Sequence, residues 1–540
     1  VAEYMAQDIC GPLFRPTNSI SHPCSQSGAM YSATEPTMTT QEKAPKSLVD
    51  TITCMRRVMV AIFCIGLLQT GSHDIMSAFF RSVVVCRAPL PVNGRCPTGS
   101  TEKEGACIAV PKSSREWSGS AHCADKGLVV SISVAAQGQV GSVASLGTLF
   151  SQVFVGAAML DTLGRKPVMF MGMASSTLLC GILWISGHIA PNLVAPVILT
   201  GTFICKLADS FVAASVAMIS DLASGDRQLE GQGFAMSSIL AHTGIVLAFA
   251  VGFPVLSLYL EDYTVVWGVM LMFGCTVTTI SAVFLRETMP GMASGESHLP
   301  ALETHKAHLP EQLEGGGGGG RGAEPQSLHT VDMMAESGAA FRAAWEDRFL
   351  RICMGFSFLT ACALRGYISV LVGYGLEVVE LRQQVVSLAG VVQPVAVVLG
   401  SCAAAQLLDC LGEMATFLLG LLTVIFGLIV SGSGAYFRNY RVICFWLGVF
   451  TYGTGHGLIE PSLWKLVSLR AQKKNCGKIF SVKTFSDTLG LACGTYVWTH
   501  YLFEKTASGT WMAGLPMFAS AALLAGVFLG GVCLHYMYPR

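Results

Sequence analysis

Ala157-Ala158-Met159-Leu160-Asp161-Thr162-Leu163-Gly164-Arg165-Lys166 sits inside hydrophobic sequence, and its pattern returns as Ala405-Gln406-Leu407-Leu408-Asp409-Cys410-Leu411-Gly412. In both copies a long apolar segment ends at the Asp, a Leu-Gly turn follows, and another apolar segment starts at once. That pattern predicts two transmembrane helices joined by a tight polar hairpin. A hairpin at the same place in two halves of one chain predicts an internally duplicated bundle, in which a solute path lies between the halves.

Hydrophobic residues make up 52% of the 540, charged residues 13%, and the mean hydropathy is +0.55. Soluble domains of ordinary make-up do not reach this apolar content, so the chain reads as an integral membrane protein. Net charge is zero and the pI about 7.2. Basic patches with interleaved aromatics are absent, so no nucleic-acid partner is expected. The run Gly315 to Gly320 lacks the Gly-Lys-Ser/Thr ending of a phosphate-binding loop. With no nucleophile motif, His-Glu-x-x-His or dinucleotide fingerprint either, neither an enzyme nor a cofactor is expected.

Most of the 19 cysteines sit singly in apolar segments, where a thiol behaves as a small hydrophobe. Cys86, Cys96, Cys107 and Cys123 instead share a polar loop after the first membrane segment. They predict one or two disulfides on an oxidising face, with three connectivities open; four free thiols are the alternative. Cys-x-x-Cys pairs are absent and the histidines scattered, so no metal site is expected.

A bilayer core of about 30 Å needs roughly 20 apolar residues per helix. Twelve segments meet that length: about 58–83, 127–160, 167–187, 193–220, 232–258, 264–285, 349–373, 384–408, 415–433, 441–464, 478–502 and 512–536. Residues 56–286 thus form an N-terminal six-helix bundle, with a Cys-containing outer loop at 86–126, and residues 348–540 a C-terminal one. Residues 1–55, rich in Ser, Thr and Pro and without a cleavable signal pattern, are expected to be a disordered cytosolic tail. Residues 287–347 carry Glu, His, Pro and the glycine run and are expected to be a flexible cytosolic linker, a small regulatory domain being the alternative.

Basic residues of short loops stay on the cytosolic side. With the N-terminus inside, Arg165, Lys166, Arg227, Arg470, Lys473, Lys474 and Lys478 are cytosolic, against Arg382, Arg438, Arg441 and Lys505 outside. Arg56 and Arg57 add to the cytosolic set, so both termini are expected there. The cysteine loop then faces the outside or a lumen, in a plasma membrane or an endomembrane.

At Asp161-Thr162-Leu163-Gly164-Arg165-Lys166 the chain resembles the major facilitator superfamily, whose signature there is Gly-x-Leu-Ala-Asp-Arg-x-Gly-Arg-Arg/Lys. Ala157 replaces the first Gly and Thr162 the first Arg. The fourth segment, with Lys206-Leu207-Ala208-Asp209 and Ile219-Ser220-Asp221, is close to the family's fourth helix. The sixth ends Phe284-Leu285-Arg286-Glu287-Thr288-Met289-Pro290, similar to the stop of many drug:proton antiporters. Gly244 and Gly252-Phe253-Pro254 give part of the Gly-rich antiporter motif. The resemblance implies an all-α membrane protein with 12 transmembrane helices in two pseudo-symmetric six-helix bundles, and within the family it is most like the tetracycline-resistance-like group. It also implies a conformational latch at Asp161, Gly164, Arg165 and Lys166, with Asp409 in the second copy. There Glu413 and Met414 replace the basic pair, so that latch is expected to be weaker or absent.

Ionisable groups at mid-bilayer are costly and are the default functional candidates. Lys206 and Asp209 lie near mid-depth of the fourth segment at i,i+3; a packing ion pair is the alternative. Lys483 and Asp487 at i,i+4 can load and release a proton, or form a terminal salt bridge with a snorkelling lysine. His456 and Glu460 share a face of Gly453-Thr454-Gly455-His456-Gly457-Leu458-Ile459-Glu460-Pro461, where the glycines and proline permit unwinding. His242 and Arg365 also lie well inside their segments; Arg365 can attract an anion or pair with Glu460 or Asp487, and packing accounts equally for both. Asp74, with His73, reads as an outer-mouth carboxylate. Trp184, Trp267, Trp446 and Trp498 suit interfacial belts or helix packing.

These residues lead to a monomeric secondary carrier of a small organic solute, coupled to protons, with antiport implied by the resemblance. Two alternatives stay open: an uncoupled sugar or metabolite facilitator, and a non-transporting sensor or scaffold.

Overall fold

In this computed structural model the described residues are 48–70, 100–103, 106–109, 126–156, 159–160, 163–189, 191–223, 226–248, 263–288, 338–382, 385–386, 388–471, 476–503 and 512–538. In the first half they form α1 (Leu48–Thr70), a hairpin of β1 (Ser100–Lys103) and β2 (Ala106–Ala109), and α2 (Lys126–Ser151) running into a π-helical turn, Gln152–Gly156. These are followed by α3 (Arg165–Ser186), α4 (Pro191–Lys206), α5 (Phe211–Ala223), α6 (Arg227–Leu247) and α7 (Tyr263–Phe284). The second half contains α8 (Arg348–Glu377), α9 (Ala389–Cys410), α10 (Glu413–Ser433), α11 (Arg441–Ser468), α12 (Cys476–Val497) with a terminal π turn Trp498–Leu502, and α13 (Leu515–Met537). Eight helical stretches among the described residues are long and apolar enough to cross a membrane.

The duplication is visible in the backbone. Gly164 and Gly412 have φ of +96° and +84°, the only positive-φ glycines among the described residues. Each ends a hairpin and is the N-cap of the helix that follows, α3 or α10. A Cβ is disfavoured in that conformation, which explains a glycine at both points. Carboxylates cap two other helices in the ordinary way: Asp226 accepts from Gln228 and Leu229 N–H groups on α6, and Asp347 from Phe349 and Leu350 on α8.

Several boundaries differ from the expectation. The first helix starts at Leu48, inside the tail expected over 1–55, because Arg56 and Arg57 lower local hydropathy without interrupting a helix. Residues 338–346, at the end of the expected linker, are helical, with Ala340 and Ala344 buried and Phe341 edge-on to Phe485 of α12 at 5.0 Å. The fourth segment is not one helix: it stops at Lys206 and restarts at Phe211. Asp and Ser compete for backbone hydrogen bonds, and Asp209-Ser210 stands at the break. Ser175 Oγ donates to the Cys205 carbonyl at 2.7 Å and Gln152 Nε2 to the Asp209 carbonyl at 3.1 Å, so backbone groups at the break find partners inside the protein.

The segment expected to unwind stays helical through Pro461. Proline has no N–H for the Gly457 carbonyl four residues back, and Ser401 Oγ of α9 lies 3.2 Å from that oxygen instead. Gly400 and Gly457 let α9 and α11 approach so closely that a Cβ on either would run into the other helix's backbone. Trp498 is buried and donates to the Pro516 carbonyl at 3.0 Å, whereas Trp184 is exposed.

Candidate functional site

Two groups of polar side chains lie on the seam between the halves. The first is central. Glu460 of α11 accepts from Ser238 Oγ of α6 at 3.2 Å, a bond across the seam, and Ser401 Oγ of α9 lies 3.1 Å from Ser238 Oγ. His242 Nδ1 lies 2.9 Å from the Ser238 carbonyl, and its ring meets His456 of α11 edge-on at 6.0 Å. Tyr452, one turn before His456, has ring centroids 6.1 Å from His456 and 4.3 Å from Tyr367 of α8. Its hydroxyl donates to the Leu364 carbonyl at 3.0 Å. Arg365, next in the chain, is half-buried and within electrostatic reach of Tyr452.

Lys483 and Asp487 on α12 adjoin this group. Their charged atoms are 2.5 Å apart, and Lys483 Nζ sits 3.6 Å above the Trp464 ring. At 3% side-chain exposure Lys483 does not snorkel. Glu460 is within electrostatic reach of His242, His456 and Lys483, so its neighbours come from both halves.

Lys206 and Asp209 pair with each other at 2.5 Å beside the break in the fourth segment, among the first-half helices. Among the described residues no hydrogen bond or ion pair joins them to the central groups. The eight candidates thus divide: His242, Arg365, His456, Glu460, Lys483 and Asp487 gather along the seam, and Lys206 and Asp209 stand apart.

The second group lies at the hairpin end. Arg165 is 2% exposed; its Nε donates to Asp221 of α5 at 3.1 Å and its Nη1 to the Leu160 carbonyl. Arg165 and Lys166 begin α3, where the helix dipole disfavours cations, and the opposing charge comes from Glu287 just after α7. Its carboxylate accepts the backbone N–H of Arg165 at 2.9 Å and of Lys166 at 3.0 Å. Asp161 lies outside the described residues, as do Cys86, Cys96, Cys123, His73 and Asp74. Cys107 lies in β2 opposite Glu102, and nothing of its side chain is described.

The second hairpin, where the basic pair is missing, carries an ion pair of its own. Glu413, the counterpart of Arg165, lies 3.5 Å from Lys465 near the end of α11, both nearly fully buried. The pair is the first-half pair with its charges exchanged. A carboxylate at the start of α10 suits the dipole by itself, so no counterpart of Glu287 is needed there. Asp409 accepts from Gln228 Nε2 of α6 at 3.3 Å, and Ser468 Oγ of α11 lies 3.3 Å from Glu230 of α6, so the hairpin end is bridged across the seam.

Sequence reasoning missed Lys465 and the capping role of Glu287. Lys465 was findable, since Glu413 and Lys465 stand near the places of Arg165 and Asp221 in the other repeat. Ser238, Ser401 and Tyr452 gave no signal beyond single polar groups in apolar helices. Replacing Glu287 by Ala is expected to cost about 1–2 kcal/mol through the lost cap; an unchanged melting temperature in detergent would contradict this.

The sequence model of the Major Facilitator Superfamily matches residues 127–495. The chain belongs to this superfamily. It is a multi-pass integral membrane protein with the fold of a transporter family. No curated protein matches the carrier. Among solved structures it is similar to the human organic anion transporter MFSD10 (TETRAN), at 16% identity and a TM-score of 0.59, covering 89% of this chain and 98% of that one. It is also similar to the proton:xylose symporter XylE bound to 6-bromo-6-deoxy-D-glucose, at 13% identity and 0.58, covering 91% and 97%. A partially occluded inward-open form of the xylose transporter from E. coli matches at 12% and 0.56, covering 90% and 98%. At these identities the likeness is one of fold.

Proposed function

We propose that this carrier moves a small organic solute by alternating access, driven by protons, with the central seam as solute site and the hairpin end as cytosolic gate. One observation carries the reading: Glu460 of the second half is held by Ser238 of the first, with two imidazoles and a lysine within reach. A carboxylate that accepts a bond across the seam when ionised is a different partner when protonated. The proton therefore acts on the contact that must change when the halves rock. The same groups give an uncoupled facilitator no evident use for a buried acid. The non-transporting alternative draws on the missing basic pair of the second hairpin and on Ala157 in place of the first Gly; Glu413 with Lys465 supplies an ion pair where the basic pair is missing, which supports the carrier reading.

The test is uptake by proteoliposomes of a mixed library of anions, cations and sugars, with and without an inward acid gradient. The intact chain is expected to concentrate a solute only with the gradient. Glu460→Gln is expected to lose gradient-driven accumulation by about tenfold or more, the scale of a lost proton-transfer group, while still exchanging solute for solute. Accumulation by Glu460→Gln that still follows the gradient would refute the assignment.

A further inference from the structure

Four permanently charged or acidic groups belong to the central seam: Arg365, Lys483, Glu460 and Asp487. Lys483 and Asp487 cancel at 2.5 Å. Glu460 is held by Ser238. Arg365 makes no hydrogen bond or ion pair among the described residues, although it lies deep within α8 between buried Leu364 and Gly366. A guanidinium at such depth is costly without an anion and is shaped to take a carboxylate or sulfonate through two parallel N–H groups.

Beside it runs a strip of rings. Tyr367 and Tyr452 are 4.3 Å apart, Tyr452 and His456 6.1 Å, and His456 and His242 6.0 Å, carrying the strip from α8 across the seam to α6. Tyr367 and Tyr452 are fully buried and back the strip, whereas His456, His242 and Arg365 are half-buried; the rings suit an apolar or aromatic body, and the cation at one end suits an acid group on it.

The charge count then fixes the sense of coupling. Arg365, Lys483, Glu460 and Asp487 together sum to zero. A bound monoanion leaves the sum one negative, and closing the halves around a net charge in a low-dielectric interior is costly. One proton restores neutrality. Glu460 is the group placed to accept it, faced by Ser238 and His242 from α6, Ser401 from α9, His456 on its own helix and Lys483 from α12. We propose that the seam binds an organic monoanion with an apolar body, anchored by Arg365, and carries it together with one proton on Glu460. This rests on the carrier reading above and makes the process electroneutral cotransport, the reverse of the antiport that the sequence resemblance implies.

The full chain in proteoliposomes tests it with radiolabelled benzenesulfonate, naphthalene-2-sulfonate and hippurate, against uncharged benzenesulfonamide and cationic benzyltrimethylammonium. Anion uptake is expected to require an inward acid gradient and to be the same whether the membrane voltage is clamped at zero or negative inside. Arg365→Gln is expected to lose about tenfold or more of anion uptake, as for a charge-assisted pair, and Arg365→Lys to recover part of it. Monodisperse elution of both variants separates loss of the anchor from misfolding. Anion uptake that survives Arg365→Gln, that voltage drives without acid, or that is absent for all three anions overturns the proposal. Uptake of the neutral or cationic probe alone would leave the carrier reading standing and remove the anion. Transport of no solute at all by the folded protein would remove the carrier reading itself.

Discussion

Glu413→Lys alone is expected to destabilise the protein by about 3–5 kcal/mol, because it sets two cations against each other in a buried place. Glu413 and Lys465 are 7% and 5% exposed, so water does not screen the clash. Lys465→Glu should cost a similar amount. The double exchange, Glu413→Lys with Lys465→Glu, restores opposite charges and the polarity of Arg165 with Asp221, and most of the loss should return. It should not all return, since a lysine at the start of α10 opposes the helix dipole and no carboxylate like Glu287 stands by to offset it. Melting temperatures of the four proteins in one detergent decide the matter. A double variant no better than the singles would show that the pair is held by local geometry and not by charge. Full recovery would show that the dipole term is negligible here.

The second large effect is steric. Gly457→Leu is expected to prevent accumulation of folded protein, because even the first carbon of the new side chain meets the Val397 carbonyl and the Ser401 backbone. Neither obstacle is a movable side-chain end, so α9 and α11 would have to part. Parting them also withdraws Ser401 from the Gly457 carbonyl, leaving an oxygen that Pro461 cannot serve. Overpacking of a close seam typically costs 1–3 kcal/mol or more, to which about 1–3 kcal/mol for the unsatisfied carbonyl is added. Gly526→Leu is the control, since nothing lies within 4 Å of its added carbon. Fluorescence size-exclusion profiles of the two variants should differ sharply. Equal monodisperse peaks would mean that the helices tolerate more separation than this packing allows.

What the sequence conveyed follows from the range of the interactions concerned. Membrane class, duplication and the hairpin positions rest on composition and local pattern, and Gly164 and Gly412 repeat down to the sign of φ. Pairs within one helical turn or near it were also legible: Lys483 with Asp487 and Lys206 with Asp209 are each bonded as their spacing suggests. The break at Leu207 to Ser210 was not, because hydropathy runs on through it and its carbonyls depend on Ser175 and Gln152 from other helices. The gathering of Arg365, His242 and Glu460 along one seam was equally hidden, since no periodicity relates residues on three helices. Glu413 with Lys465 was hidden only in part. Comparing the two repeats position by position, and not for identity, would have shown a charge exchange in place of a loss.

The position of Glu287 has a mechanical side. It clasps the first residues of α3 through two backbone N–H groups and stands three residues after the end of α7. A displacement of Glu287 at the end of α7 would reach the start of α3 without passing through any intermediate lever. One side chain in this sense fastens two helices of the first half together like a buckle.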